Sequence, residues 1–169
     1  GRTEEGIPIF VECAVPGDVA NVRLFQKKKG VLFGRAVEIT QASSDRVSPI
    51  CSHFGYCGGC KWQNLKYAAQ LHFKEKEVRD ALHHLGKVKV EAMLPIVAAD
   101  SEFYYRNKLE FTFSYKRWLT NEEMEIGVEP SPGLGFHRPG SFDKIVDIQH
   151  CFLQRDPSNA IRLFLKKYA

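Results

Sequence analysis

The sequence has no apolar run long enough to cross a membrane and no basic-then-apolar leader at its amino terminus. A membrane-spanning helix needs about 20 consecutive apolar residues, and a secretory signal has a charged segment followed by an apolar one. These absences predict a cytoplasmic chain without a membrane partner. The chain begins "GRTEEG", without an initiator methionine, which indicates a portion of a longer protein.

Cysteine is scarce, and its number is odd: five thiols at positions 13, 51, 57, 60 and 151. An odd count in a chain without a secretory signal argues against a disulfide framework. Three of the five nevertheless fall within ten residues, in "CSHFGYCGGC". This crowding leaves metal binding, redox chemistry or coincidence as explanations.

The composition is that of a folded protein, because 44% of the residues are hydrophobic and 26% are charged. The net charge of +4 is only mildly basic. Charge alone therefore does not indicate nucleic-acid binding, and the specific motifs must decide the function. We expect a monomer.

The amino-terminal region reads as short strands with glycine and proline turns between residues 7 and 39. Such spacing predicts a small β-barrel of the OB type. Only about three strands are visible, so we expect the barrel to lack its first strand. A polar linker at residues 40–49 follows, and the first domain is placed at residues 1–48.

The remainder, residues 49–169, predicts an α+β domain with helices and an antiparallel sheet. Its longest strand pattern is "YRNKLEFTFSY". Asp156 is expected to cap a last helix that has Pro157 at its first position and Ala160, Ile161, Phe164 and Leu165 on its buried side. A segment of mixed charge and proline, 116–133, is expected to form a long hairpin or loop. The other predicted elements are a helix at 64–85 and strands at 125–128, 133–138 and 143–149.

The clustered cysteines have the spacing C-x5-C-x2-C, and three local cysteines with one remote cysteine are typical of iron–sulfur ligation. Cys13 lies within the strand-rich region and reads as a small residue at a strand end. Cys151 stands between a strand and a helix, where a side chain can be aimed at a site. The spacing therefore predicts a metal centre held by Cys51, Cys57, Cys60 and Cys151.

Three alternatives stay open on spacing alone. The same cysteines could bind zinc, either as a four-cysteine site or together with His53 or His150. A redox disulfide could join Cys57 to Cys60, although that motif belongs at the start of a helix after a strand, and no such strand precedes it. The third alternative is a coincidence of buried thiols.

The segment "CSHFGYCGGCKWQNLKYAAQLHFK" resembles the cluster segment of the TRAM-containing RNA uridine-C5 methyltransferases of the 23S ribosomal RNA type. "FYYRNKLEF" and "FVECAVPGDVANVRL" resemble a strand and the TRAM domain of the same family, so the resemblance covers nearly the whole chain. The matching positions of the cluster motif are Cys51, Cys57, Gly58, Gly59, Cys60, Gln63, Tyr67, Gln70, Leu71 and Lys74, with Cys151, Leu153 and Gln154 downstream.

This resemblance implies a [4Fe-4S] cluster and a parent enzyme that methylates C5 of a uridine with S-adenosylmethionine. In the family, that chemistry belongs to a carboxy-terminal Rossmann-like domain, and this sequence contains no glycine-rich cofactor loop. We therefore expect the RNA-recognition and cluster portion of a 23S rRNA methyltransferase, inactive by itself and binding a hairpin or loop. The alternative is a stand-alone, metal-stabilised RNA-binding module without catalytic activity.

The residues expected to contact RNA are basic side chains beside predicted strands. An OB-type barrel binds single strands through a basic, aromatic face, and ordinary surface charge is the competing interpretation. The candidates are Lys27, Lys28 and Lys29 in a turn, Arg106 and Lys108 on one strand face, and His137 and Arg138 near a strand end.

Overall fold

A computed structural model describes residues 1–168 and confirms a mixed α+β chain with small sheets. The chain divides into two compact units. The first comprises Gly1–Ser48 and Asn64–Ile96, and the second comprises Pro49–Gln63 and the residues from Val97 onward. Residues 64–96 thus pack with the TRAM-like region, whereas the sequence division assigned them to the second domain. Within residues 1–168, no helix is long and apolar enough to cross a membrane.

The first unit is built on an open three-stranded sheet, rather than on a closed barrel. Its strands are β1 (Ile9–Glu12), β2 (Val19–Lys28) and β3 (Val31–Gln41). The strand order is β1-β3-β2, with β1 parallel and β2 antiparallel to β3. The three strand patterns predicted in residues 7–39 are therefore present, and β2 extends further into the lysine run than expected.

The β2–β3 hairpin closes through a two-residue turn at Lys29 and Gly30, because Lys28 pairs with Val31. Both turn residues have positive φ, 48° and 78°. Two-residue turns of this kind twist in the same sense as the strands that they join. Lys27 and Lys28 accordingly lie on strand β2, and only Lys29 occupies the turn.

Helix α1 (Tyr67–Asp80) begins three residues later than predicted and ends in a π-helical turn, Ala81–Leu85. Residues 64–66 are instead tied to the polar linker. Val47 N–H donates to the Asn64 carbonyl at 3.0 Å, and Lys66 N–H donates to the Asp45 carbonyl at 2.9 Å. These bonds hold the backbone extended, so the helix starts only beyond them.

The second unit contains a three-stranded antiparallel sheet in the order β4-β5-β6. The strands are β4 (Thr112–Ser114), β5 (Gly133–His137) and β6 (Ile145–Asp147). At Gly135 an added Cβ would stand 1.9 Å from the Val146 carbonyl oxygen. The close approach of β5 and β6 therefore requires glycine at this position.

The long strand predicted from "YRNKLEFTFSY" is wrong for most of its length, because only the three residues of β4 form a ladder with β5. The segment before β4 bonds elsewhere. Tyr104 N–H donates to the Phe152 carbonyl at 2.7 Å, and Arg106 N–H donates to the Leu153 carbonyl at 2.9 Å. Alternating side chains indicated an extended backbone, but they could not show which partner that backbone would meet.

The predicted strand at 125–128 is also wrong, because helix α2 (Asn121–Glu125) and a turn occupy this region. Thr120 accepts the Glu123 N–H, and the Glu123 carboxylate accepts the Thr120 N–H, which makes a capping box. Arg117 fixes the same carboxylate through two donors at 2.7 and 3.0 Å. The signal T-x-x-E at 120–123 was present in the sequence.

The last helix, α3 (Ser158–Lys166), follows Pro157, and Asp156 makes no capping hydrogen bond to it. The expectation that Asp156 caps the helix is therefore wrong. Ile161 and Phe164, expected on the buried side, are more than half exposed. The helix instead buries Asn159 and Arg162, because both hydrogen-bond to backbone groups of the segment after β6.

In the first unit, the nearly buried carboxylate of Asp18 connects the segment between β1 and β2 to the polar linker at residues 40–49. Asp18 accepts the N–H groups of Val15 at 2.7 Å and Ser43 at 3.0 Å. Its side chain is only 1% exposed, and the Arg46 guanidinium lies 2.6 Å from it. The same guanidinium donates to the Cys13 carbonyl at 2.8 Å. One ion pair therefore fixes both ends of this connection.

We predict that Asp18→Asn lowers the stability of the first unit at pH 7 by about 2 kcal/mol. Hydrogen bonds from Arg46 lower the pKa of Asp18 to about 2. The folded-state pKa lies below the unfolded value, so the stabilisation is complete above about pH 4 and is lost as pH falls toward 2. Urea denaturation at pH 7 and pH 3 measures this loss.

The matched control is Glu4→Gln, which neutralises an exposed carboxylate in the same unit. Wild type and this control should both lose stability between pH 7 and pH 3, whereas Asp18→Asn should lose less. Equal losses in all three proteins would contradict the assigned role of Asp18.

Candidate metal centre and RNA-binding surfaces

The four cysteines predicted as metal ligands all lie in the second unit. Cys51, Cys57 and Cys60 belong to the loop of residues 51–63, the cysteine loop, and Cys151 lies between β6 and α3. Cys57 and Cys151 are buried in one apolar cluster with Val146, Ile148 and Leu153, and Cys60 packs against it. The remote cysteine is thus in the same core as the local ones. Cys13 directly follows β1 in the other unit, as expected for a strand-end residue.

The cysteine loop is folded by its own hydrogen bonds. The Cys51 N–H donates to the Gln63 side-chain oxygen at 3.3 Å, which joins the two ends of the loop. Cys57 N–H donates to the His53 carbonyl at 2.9 Å, and Phe54 N–H donates to the Cys51 carbonyl at 3.1 Å. Gln63, one of the motif residues, therefore has a physical role, because its side chain closes the loop.

Gly58 and Gly59 are required by the close approach of the loop to β5. A Cβ at Gly58 would lie 2.5 Å from the His137 carbonyl oxygen, the atom that accepts the Gly58 N–H at 3.0 Å. A Cβ at Gly59 would lie 3.2 Å from the Phe136 ring. Neither glycine has positive φ. The reason for this pair is therefore the close packing of the loop against the strand, which leaves no room for a Cβ.

Cys57 interacts electrostatically with each of the other three cysteines. Burial raises the pKa of Cys57 to about 12, and the nearby charges of Cys51, Cys60 and Cys151 add to this effect. Burial also raises the pKa of Cys51 and Cys151, each of which interacts with Cys60. Without a cation the thiols of Cys51, Cys57 and Cys151 remain protonated, so they are unsuited to act as nucleophiles. A bound metal ion would favour the thiolate forms instead.

Cys151 is held by a side chain that sequence reasoning missed. Asn159 accepts the Cys151 N–H at 2.8 Å and donates to the Cys151 carbonyl at 3.1 Å. Both bonds are buried, and they fix the backbone of the remote cysteine from helix α3. A polar residue on a helix of otherwise apolar spacing, eight positions after the cysteine, is the signal that could have identified Asn159.

The two histidines considered as zinc ligands have other partners. His53 is buried, and its Nε2 accepts the Gln149 N–H at 3.4 Å. The ring proton of the neutral imidazole therefore lies on Nδ1, 3.8 Å from the Cys51 sulfur. His150 Nε2 is 3.3 Å from the Tyr104 hydroxyl, and its ring packs against Phe152. His53 thus supports Cys51, whereas His150 belongs to an aromatic cluster.

The donor set fits a thiolate-bound metal in its chemistry, because soft sulfur ligands select zinc, copper(I) or iron–sulfur clusters. Within residues 1–168, no three cysteine, histidine, aspartate or glutamate side chains are already arranged to hold a metal ion. The thiols therefore share one core without being preformed as ligands. Coordination would require their deprotonation and a rearrangement that brings the sulfurs together, because metal binding and local folding are coupled.

The first unit presents an aromatic and basic sheet face. Phe10 on β1 and Phe33 on β3 stack with ring centroids 5.5 Å apart, and Phe10 is 65% exposed. Phe33 pairs with Gln26, and Val31 pairs with Lys28. Paired residues and alternate residues share a face, so Lys28 lies on the same face as the two rings. Sequence reasoning expected such a face but did not identify its rings.

The predicted RNA contacts of the second unit differ in exposure. Arg106 is exposed and lines a groove of about 860 Å³. Lys108 is exposed and pairs with Glu110 at 2.7 Å. His137 is half-buried and lies 3.3 Å from the Thr112 hydroxyl.

The fourth of these residues, Arg138, is also half-buried, and its guanidinium lies 5.1 Å from the centre of the Trp118 ring. Its backbone N–H donates to the Lys144 carbonyl at 2.8 Å. The geometry therefore leaves Arg106 and Lys108 open to solvent and gives His137 and Arg138 packing contacts inside the unit.

Comparison with known proteins identifies relatives that match both units. The TRAM domain family matches residues 1–37. A protein of Porphyromonas gingivalis named uncharacterized RNA methyltransferase is 51% identical over 165 residues, which are 95% of this chain and 36% of that protein. A protein of Chlorobaculum tepidum with the same description is 39% identical over 100% of this chain and 36% of its own length.

A solved structure is similar as well. The crystal structure of the Pyrococcus abyssi tRNA (uracil-54, C5)-methyltransferase in complex with S-adenosyl-L-homocysteine matches with a TM-score of 0.58 and 26% identity. The match covers 99% of this chain and 35% of that one. The chain thus spans about a third of the length of the proteins that it matches.

We predict that Gly58→Ala destabilises the second unit by roughly 1–3 kcal/mol, because the new methyl group must displace a β5 carbonyl that lies 2.5 Å away. Chemical denaturation followed by tryptophan fluorescence measures the effect. Lys61→Ala is the control, since it removes an exposed side chain from the same loop. Equal stability of the two variants would show that the loop does not need the close contact.

Proposed function

We propose that the chain is the RNA-binding and metal-binding portion of an RNA uracil-C5 methyltransferase, a family whose resemblance to this chain is confirmed by its TRAM domain and by relatives named RNA methyltransferase. The parent enzyme would use S-adenosylmethionine to methylate C5 of a uridine in RNA. The observation that carries the proposal is the match over 100% of this chain to a relative named RNA methyltransferase, together with the gathering of Cys57, Cys60 and Cys151 in one core of the second unit.

Methyl transfer is assigned to the part of the enzyme that lies outside the aligned third. The sequence has no strand followed by a glycine-rich loop and helix that could hold the cofactor. Its buried thiols, with raised pKa values, are unsuited to attack a pyrimidine. We therefore propose that this chain positions RNA without reacting with it. By itself the chain is expected to be inactive.

The metal centre is proposed to be a [4Fe-4S] cluster held by Cys51, Cys57, Cys60 and Cys151. When bound, it would cross-link the cysteine loop to the segment before α3, which is a structural role. Three local cysteines with one remote cysteine support iron–sulfur over a two-knuckle zinc site. The engagement of both ring nitrogens of His53 argues further against a zinc site that uses this side chain.

RNA is proposed to bind across the aromatic and basic face of the first unit and at Arg106 and Lys108 of the second. Aromatic rings exposed on an OB-like sheet stack with bases, and neighbouring lysines bind phosphates. We propose a 23S rRNA hairpin or loop as the substrate. The structurally similar Pyrococcus enzyme is named for a tRNA uracil, so a tRNA is the competing substrate. His137 and Arg138 remain predicted contacts.

The metal proposal predicts that anaerobically purified chain is brown and carries about four irons, with matching sulfide, per chain. Replacing Cys51, Cys57, Cys60 or Cys151 singly by serine should abolish most of the bound iron, because each supplies one thiolate. Iron and sulfide assays together with visible absorption measure the result.

Cys13→Ser is the control, since Cys13 lies in the other unit and should be dispensable for iron. A colourless protein with stoichiometric zinc would contradict the iron–sulfur cluster and would support the four-cysteine zinc alternative. Retention of iron by Cys151→Ser would remove the remote cysteine from the ligand set.

The RNA proposal predicts salt-dependent binding to a single-stranded loop. Replacing Lys27, Lys28 and Lys29 together by alanine should weaken binding to all sequences alike. It should also flatten the log–log salt slope by roughly 0.7 to 0.9 for each phosphate contact that is lost. The measurement is a salt titration of binding to a 23S rRNA hairpin and to a tRNA.

A triple replacement of Lys66, Lys87 and Lys89 by alanine removes the same charge from exposed positions of the same unit. If both triple variants lose affinity equally, the hairpin turn has no special role. Absence of salt-dependent binding by the wild-type chain at low ionic strength would contradict RNA binding by this portion alone.

A further inference from the structure

Helix α3 is amphipathic in the reverse sense to most helices of soluble proteins. Its two inward residues are polar, since Asn159 is 6% exposed and Arg162 is 3% exposed. Apolar residues such as Ile161 and Phe164 face solvent instead. A helix ordinarily buries its apolar face, so the interior that α3 faces must offer strong polar interactions.

Arg162 is buried among carbonyl groups and an aromatic ring. It donates to the carbonyls of Ile148 and Gln149, the latter at 3.0 Å, and to the Asn159 side-chain oxygen at 3.3 Å. Its guanidinium lies 5.4 Å from the centre of the Phe111 ring. Its Nε is buried and has no hydrogen-bond partner in the described chain. The interior thus satisfies part of the guanidinium's hydrogen-bonding capacity, but none of these contacts cancels its charge.

No carboxylate forms an ion pair with Arg162 within residues 1–168. The carboxylate of Asp147 acts on it only at longer range. The Asp147 oxygens already accept from Lys166 at 2.6 Å and from the Leu134 N–H at 3.0 Å. A buried cation without a paired anion is costly. An anionic group is therefore expected near Arg162 in the functional state.

The cysteines supply that anionic group once they bind metal. Arg162 contacts Asn159, which in turn holds the Cys151 backbone through two buried hydrogen bonds. Arg162 also interacts electrostatically with Cys151 itself. Four thiolates exceed the positive charge of either an iron–sulfur cluster or a zinc ion, so the loaded site carries net negative charge.

We propose that Arg162 is the buried counter-charge of the metal–thiolate centre and that Asn159 positions Cys151 for it. Helix α3 turns these two polar side chains inward because it forms the outer wall of that centre. This inference rests on the proposed metal centre, and it holds for either metal. Neither residue touches the metal, so both are positioning residues that act through Cys151 and the local charge.

The charge role predicts unequal effects in the loaded and metal-free chains. With metal bound, removing the cation leaves the anionic centre uncompensated, and partners outside the ligand set typically contribute 10- to 100-fold to metal affinity. In either state, removing the guanidinium also takes its hydrogen bonds away from the Ile148 and Gln149 carbonyls. Its removal should therefore lower stability less in the metal-free chain than in the loaded one.

The experiment compares Arg162→Gln with Arg162→Lys in the loaded chain. We expect metal transfer to a chelator to become about 10- to 100-fold faster in Arg162→Gln and to stay within a few-fold of wild type in Arg162→Lys. In an iron-loaded chain, the midpoint potential should become more negative in Arg162→Gln only, because reduction adds a negative charge. Arg155→Gln removes an exposed cation from the same segment and is the matched control.

The outcomes separate this inference from the function on which it rests. A wild-type chain that binds no metal overturns both the metal centre and the role of Arg162. A metal-binding wild type with an unaffected Arg162→Gln overturns only the counter-charge, and so does equal impairment of the Gln and Lys variants. A loss of stability in metal-free Arg162→Gln that is as large as in the loaded variant indicates a packing role and likewise overturns the proposal.

Discussion

The second unit is organised by the burial of thiols in an apolar core. Cys57 and Cys151 are buried beside Val146 and Ile148, and burial raises the pKa of both thiols. The surrounding strands are short, with three residues in β4 and three in β6. Such short ladders contribute little by themselves. The packing of the cysteine loop against β5 is therefore a main source of order in this unit.

Helix α3 completes this arrangement from the other side. Its polar inner face binds the backbone around Cys151, so the remote cysteine is fixed by hydrogen bonds as well as by packing. The loop and the helix thus bring cysteines that are far apart in sequence to one core.

The first unit depends on a different constraint, the nearly buried Asp18–Arg46 pair, which fixes the connection between β1 and β2. The two units thus order their non-repetitive backbone by different physical means.

Local sequence signals identified the elements whose stability is local. The β2–β3 hairpin follows from a Lys-Gly turn between apolar strands, and the helix at α1 follows from its periodicity. The capping box at Thr120 was equally readable, but the segment 116–133 around it was interpreted as a hairpin or loop with a strand at 125–128. Elements that depend on distant partners were predicted less well. The strand before Ser114 is an example, because its outer residues bond to the segment after β6.

The sequence by itself determined which thiols of this protein are candidate metal ligands. The spacing of Cys51, Cys57 and Cys60 is local, so a loop that carries three thiols can be inferred without knowledge of the fold. Cys151 was predicted as the remote thiol, but only the tertiary structure decided which polar groups accompany it. Asn159 and Arg162 reach the segment of Cys151 from α3, and their inward orientation opposes the apolar pattern of the helix. Periodicity reports which face of a helix is apolar, but the partner packed against the helix determines which face is buried.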